Sequence, residues 1–194
     1  MAVHSMAFPL ELGDHEPPPR DVLEQEWWLA ALQEPRATFR PFAGDDFPST
    51  TLPAFHAARA AARQGEHAGE AYDLRVRQAF FAEGANIGRP SVLIDLAREI
   101  KLDIPRFERD LHSTEVHEEV LAERRLGLEQ FGVRGTPTLI MPDGSRARLP
   151  LAAPRMRNRR IIAVPALPCC GDGCLDEMRH LLDRAAMTAS GPGE

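Results

Sequence analysis

The stretch Phe131-Gly132-Val133-Arg134-Gly135-Thr136-Pro137-Thr138-Leu139-Ile140 divides the chain into two textures, and any fold has to accommodate both. Ahead of it lies a long series of helix-forming segments; behind it come short β-prone runs separated by turn residues. Two glycines frame a tight corner, and Pro137, which has no N–H to give to a neighbouring strand, stands where a strand would open. By itself the corner is also satisfied by a trans-proline turn leading into an edge strand.

The helical block is readable from periodicity and punctuation. Asp21 is a candidate cap for a helix carrying Val22, Leu23, Trp27, Leu29 and Ala30, which Pro35 stops. Pro53 sits at the first turn of an Ala-rich helix over 54–64, and a second runs from Glu66 to Glu83, where Gly84 ends it. Val92, Leu93, Leu96, Ala97 and Ile100 form one stripe over 91–101. A shorter helix over 105–111 carries Phe107 and Leu111. Ser113 or Thr114 can cap the next, which reaches Phe131. Trp27-Trp28 reads as a packing anchor.

Strands are expected at both ends. Met6, Phe8, Leu10 and Leu12 recur at every second position, the period of a strand with one buried face, although Pro9 makes it an edge strand or shortens it. His15 to Arg20, with three consecutive prolines, reads as an exposed connector. Arg36 to Phe42 is a short extended piece, and Gly44 to Pro53 a loop. After the corner, Thr138–Met141 and Arg146–Leu149 flank the turn signal Pro142-Asp143-Gly144-Ser145 and predict a hairpin. Ile161–Leu167 predicts a further extended piece. Asp172 is a candidate cap for a last helix whose Leu175, Met178, Leu182 and Ala185 form a stripe, and 188–194 reads as a frayed tail.

The totals narrow the function classes. Against 23 Lys and Arg stand 29 Asp and Glu, a formal charge of −6, and the Arg pairs 124–125 and 159–160 lie apart, so nucleic-acid binding is disfavoured. Hydrophobic residues make up 43% of the 194 residues, with no apolar run of the length a membrane span needs. The first residues carry no Lys or Arg ahead of their apolar stretch and meet Pro9 and Glu11 early, which reads as no secretion signal and a cytoplasmic protein. No nucleophile-elbow or phosphate-loop motif occurs, and no cofactor is expected. His112 and His117 with Glu118 and Glu119 read as a solvated helix face, because the pair lacks the i, i+4 spacing of a zinc helix.

All three cysteines lie in Pro168-Cys169-Cys170-Gly171-Asp172-Gly173-Cys174. Three readings fit. A reducing compartment points clustered thiols toward metal binding or a transient redox role. For redox, Gly171 and Gly173 let Cys170 approach Cys174, and Cys174 falls in the first turn of the last helix, where a thiolate is favoured. A structural metal needs about four ligands, so a distant histidine such as His56 or His117 would have to join the thiols. His180 points to another face of the helix. Packing as small apolar side chains is the third reading.

The order of helical block, Gly-Val-x-Gly-Thr-Pro-Thr corner, hairpin and final helix resembles the thioredoxin-like oxidoreductases of the DsbA-like family. The resemblance covers about residues 50–145, including Ala57–Gly65, Arg77–Gly84 and the corner itself. It implies an α/β, thioredoxin-like fold with an inserted helical subdomain. The expected organisation is 1–50 a remnant of the sheet with its connector, 51–131 the helical insertion, 132–187 the cis-proline hairpin and C-terminal helix, and 188–194 a tail. It implies that Pro137 is cis, and that Thr136 and Pro137 shape a substrate-binding surface beside the redox dithiol.

The family's Cys-x-x-Cys, placed where a first strand turns into a helix, is missing, and Val3–Leu12 resembles the strand that follows it. The expectation is a shortened variant or a chain whose start lies further upstream. The implied activity is thiol-disulfide exchange with a thiol- or disulfide-containing protein or a small thiol. Cys170 and Cys174 form the candidate dithiol. Two alternatives stand beside it: a non-catalytic peptide-binding module of the same fold, and a glutathione-dependent transferase or isomerase relative in which Ser5 or Ser49 would serve in place of cysteine.

Overall fold

The computed structural model describes residues 3–13, 18–148, 152 and 154–189. Its helices, in chain order, are α1 (Arg20–Gln33), α2 (Leu52–Ala62), α3 (Glu66–Phe81), α4 (Pro90–Glu99), α5 (Ile104–Leu111), α6 (Thr114–Glu129) and α7 (Asp172–Ala189). Two antiparallel hairpins lie between α6 and α7. The first pairs β1 (Leu139–Ile140) with β2 (Arg146–Ala147), and the second pairs β3 (Arg155–Arg157) with β4 (Arg160–Ala163). The chain divides into two compact units: Met1–Ser5 with Pro18–Ala37 and Gly127–Glu194, and Met6–Pro17 with Thr38–Leu126.

The helical unit is built on close approach between α2 and α3. A Cβ on Gly69 would lie 2.8 Å from the Cβ of Ala62, so only glycine allows the two helices to meet there. Small residues on α2 complete the contact, since Ala57, Ala60 and Ala61 are fully buried. Tyr72, Leu93, Phe107, Val116 and Val120 are likewise without solvent exposure. The Tyr72 hydroxyl donates to the Leu93 carbonyl at 2.8 Å, and burial pushes its ionisation well above the ordinary phenol range. Helix starts are fixed locally: Asp103 accepts from the Arg106 N–H at 3.1 Å to cap α5, and Ser113 from the Val116 N–H at 3.1 Å to cap α6. Phe42 and Phe47 pack edge to face at 5.0 Å between ring centroids and both meet Phe80.

The alternating N-terminal segment is not a strand. Residues 3–9 are irregular and Leu10–Leu12 forms a 3-10 turn, with Met6, Leu10 and Leu12 exposed and Pro9 buried instead. The backbone groups that a ladder would use are taken by side chains. The Ala7 N–H donates to the Glu123 carboxylate, and Arg124 donates to the carbonyls of Pro9 and Leu12 at 3.2 and 2.8 Å. Glu11 turns its carboxylate to the start of α2, accepting from the Thr51 N–H at 2.9 Å and the Thr50 hydroxyl at 2.6 Å, where the helix dipole favours an anion. Arg36–Phe42 likewise lacks a strand partner among the described residues. Of the expected connector, residues 15–17 lie outside the described residues, as do Leu149 of the hairpin and 190–194 of the tail.

In the other unit α1 begins two residues earlier than a cap at Asp21 implies, with Pro19 extended before it and Asp21 inside the first turn. Gln25 on α1 holds the second hairpin: its amide donates to the Arg159 carbonyl at 2.9 Å and accepts from the Ile161 N–H at 3.0 Å. That hairpin turns on Asn158 and Arg159, both at positive φ, and Arg159 is ion-paired to Asp21, whose carboxyl is held below its usual range by that hydrogen bond. Trp27, Leu29, Val133, Met141, Leu181 and Ala185 are buried. Trp28 is exposed, so the tryptophan pair anchors through one ring only.

Candidate functional site

The cysteine loop sits where α1 ends and α7 begins. A helix C-terminus leaves carbonyls without partners, and the loop supplies two of them. The Gly171 N–H donates to the Gln33 carbonyl at 2.8 Å, and the Cys170 thiol donates to the Leu32 carbonyl at 3.2 Å. Gly171 takes a positive φ of 52° to turn the chain, after which the Cys174 N–H donates back to the Gly171 carbonyl at 3.0 Å and α7 starts. Cys174 is therefore in the first turn of an 18-residue helix.

Cys169 and Cys174 are joined in a disulfide with a Cα–Cα distance of 5.0 Å, and Cys170 is the free, exposed thiol. The expected approach of Cys170 to Cys174 is thus replaced by that of Cys169. The reason is the loop's anchorage: with Gly171 bonded to the end of α1, Cys170 is committed to the Leu32 carbonyl, while Cys169 is carried toward the α7 turn.

Gln33 is the residue that sequence reasoning missed. Its side-chain N–H donates toward the sulfurs of Cys169 at 3.3 Å and Cys174 at 3.7 Å, while its side-chain oxygen accepts from the Ala152 N–H at 3.3 Å. It is 8% exposed. One sequence signal pointed to it: Gln33 follows Leu29 by one helical turn, so it puts an amide on the buried stripe of α1. Nearby, Arg36 is held by Glu34 through two hydrogen bonds of 2.6 Å and reaches Asp172 at 3.2 Å. The Arg36 guanidinium keeps the Glu34 carboxyl below its ordinary range. Arg36 is thus paired with two carboxylates, and what favours thiolate over thiol at Cys174 is its place in the first turn of α7.

The corner is built separately. The Arg146 guanidinium donates to the carbonyls of Phe131 and Gly132 at 3.2 and 2.9 Å, tying the end of α6 to the first hairpin. The Thr136–Pro137 peptide bond is cis, and the Thr138 hydroxyl donates to the Gly135 carbonyl at 2.6 Å. Among the described residues no hydrogen bond or ion pair ties Thr136 or Pro137 to the cysteines.

The remaining candidates fall elsewhere. His117 is not on a solvated face: its Nδ1 lies 3.1 Å from Nε2 of His56, with the rings edge to face at 5.0 Å. Burial, and then the neighbouring His117, lower the pKa of His56. Among the described residues no three or more His, Cys, Asp or Glu side chains gather as a metal site. Ser5 and Ser49 are both exposed.

A helical insertion, a cis-proline corner that opens a hairpin and a terminal helix carrying a cysteine pair define a thioredoxin-like protein. The family model described as thioredoxin matches residues 42–151, and the chain belongs to that family. Comparison with curated proteins finds no match. Among solved structures, the cytosolic disulfide reductase DsbM from Pseudomonas aeruginosa is 19% identical, with a TM-score of 0.59 over 93% of this chain and 80% of that one. DsbM solved with GSH gives 19% identity and a TM-score of 0.53 over 80% of this chain and 71% of that one. A putative protein disulfide isomerase from Nitrosomonas europaea is 17% identical, TM-score 0.48, over 71% of this chain. The chain spans 60% of the length of that last protein. The fold is the thioredoxin-like one with a helical insertion. No helix among the described residues is long and apolar enough to cross a membrane.

Proposed function

We propose that the protein is a thiol-disulfide oxidoreductase whose working sulfurs are those of the C-terminal loop. The observation that carries this reading is the Cys169–Cys174 disulfide, formed by a residue in the first turn of α7 and overlaid by the Gln33 amide. A disulfide placed there is easily reopened, because the Cys174 sulfur leaves as a thiolate stabilised by the helix N-terminus.

In the reducing direction, a thiolate of the loop attacks one sulfur of a substrate disulfide and expels the other as a thiol. A second loop thiolate then attacks the protein sulfur of the mixed disulfide, releasing the remaining substrate thiol and closing the protein disulfide. Two molecules of a small thiol return the loop to its reduced form. Cys174 serves in every version of this cycle, partnered by Cys169 or Cys170. Thr136 and Pro137 form the surface on which an extended substrate segment rests. The DsbM likeness supports a small thiol such as glutathione as reductant and the cytoplasm as the place of reaction.

The test is reduction of insulin disulfides with a small thiol as electron source. The parent should accelerate it and Cys174→Ser should not. A parent that gives no acceleration favours a non-catalytic peptide-binding module instead.

A further inference from the structure

We infer that Cys170 is the entry thiol of this site, and that the disulfide moves by one residue, between Cys170–Cys174 and Cys169–Cys174, during each turnover. The inference rests on the proposed exchange activity and assigns its order of events.

Three features of the loop carry it. The first is access. Cys170 is exposed, whereas Cys169 and Cys174 are partly buried and lie against the Gln33 side chain, so a bulky disulfide reaches Cys170 first. The second is reach. The Gly173 N–H donates to the Cys170 carbonyl at 3.1 Å and the Cys174 N–H to that of Gly171 at 3.0 Å, so residues 170–174 already wind as a turn. Such a turn brings residues i and i+3 within about 7 Å at Cα, and Gly171 and Gly173 leave the backbone free to bring Cys174 into the range a disulfide spans. The third is the retention of Cys170. Its thiol is parked on the Leu32 carbonyl at 3.2 Å when the other two sulfurs are bonded, so the loop has a defined place for each sulfur in the oxidised state.

The steps balance. In the reduced loop the Cys170 thiolate attacks a substrate disulfide, forming a Cys170–substrate bond and releasing one substrate thiolate. Cys174 thiolate attacks the Cys170 sulfur, releasing the second substrate thiolate and closing Cys170–Cys174. Cys169 thiolate attacks the Cys174 sulfur and frees Cys170, leaving Cys169–Cys174. The two protons lost by Cys169 and Cys174 end on the two substrate thiols, and the substrate disulfide has taken up two electrons. Resetting runs these steps backwards with two small-thiol molecules, which become a disulfide.

Single-turnover reaction of the fully reduced protein with oxidised glutathione tests this, read by mass-resolved peptide mapping. Cys169→Ser should complete its turnover at the parent rate and stop as a Cys170–Cys174 disulfide. Cys170→Ser should react about tenfold more slowly, yet still end as Cys169–Cys174. Cys174→Ser should hold the glutathione adduct on Cys170. An adduct on Cys169, with Cys170→Ser as fast as the parent, overturns the entry role while leaving exchange at this site intact. A parent that forms neither adduct nor disulfide overturns both.

Discussion

Gln33→Leu is the substitution that separates a working disulfide from a structural one. The change keeps a side chain of similar length on the buried stripe of α1 but removes the N–H that points at Cys169 and Cys174 from 3.3 and 3.7 Å. In the oxidised protein the loss at the sulfurs is small, because a disulfide sulfur is a weak acceptor, although the Ala152 N–H also loses its partner. In the reduced protein the same N–H faces a thiolate, and a hydrogen bond to a charged group contributes about 1.5–3 kcal/mol. The contacts are long, so about 1.4 kcal/mol, or one pKa unit, is the figure to expect.

Raising the pKa by one unit lowers the thiolate fraction near neutral pH up to about tenfold, but a more basic thiolate is also a better nucleophile, with a slope of about 0.4–0.5. The net result is exchange about three- to fourfold slower at pH 7. Gln33→Glu should move the pKa further in the same direction, because a carboxylate beside a developing thiolate repels it. The assay is the pH dependence of haloacetamide alkylation of the reduced variants, with each cysteine followed separately by mass. Midpoints for Cys169 and Cys174 that coincide in parent, Leu and Glu variants would refute the assignment of Gln33 to the thiolates.

Three further outcomes follow from the helical unit. Ser113→Ala removes the cap on the Val116 N–H and should lower stability by about 1 kcal/mol, seen as a reduced urea midpoint at unchanged slope. Phe107→Ala empties a site with no solvent exposure and should cost about 3–5 kcal/mol, read in the same titration. His56 has a folded pKa below its unfolded value, so the unfolded chain binds more protons as pH falls through about 6.5, and stability should decline on acidification through that region. His56→Gln should flatten that part of the stability profile, and an equally steep profile in the variant would remove His56 as its cause.

The helices were legible because their punctuation is local: Pro53 and Ser113 each act within a turn of where they stand. Strands were less so. The Val3–Leu12 alternation is a correct reading of period, but a strand needs a neighbour, and here Glu123 and Arg124 occupy the backbone groups from more than a hundred residues away. Of the β3–β4 hairpin only the second strand was legible, at the start of the Ile161–Leu167 piece, because the turn is Asn158-Arg159, without the glycine that usually marks a positive φ. At the site, the cysteine cluster and its place at a helix start were visible, yet the pairing was not. Choosing Cys169 over Cys170 depends on Leu32 and Gln33 receiving the loop, and that contact spans 138 residues between Leu32 and Cys170. The His56–His117 pair was hidden for the same reason, its partners being 61 positions apart.

Equilibration of the protein in glutathione buffers of graded oxidised-to-reduced ratio tests the central claim most directly, with thiols counted by mass after acid quench and folding followed by circular dichroism. Reversible loss and return of the Cys169–Cys174 disulfide is predicted, as one two-electron transition in which the ratio of forms changes tenfold per about 30 mV, with the helical signal unchanged throughout. A disulfide that stays closed across the series, or opens only as the helical signal is lost, would contradict the claim and make the bond a structural one.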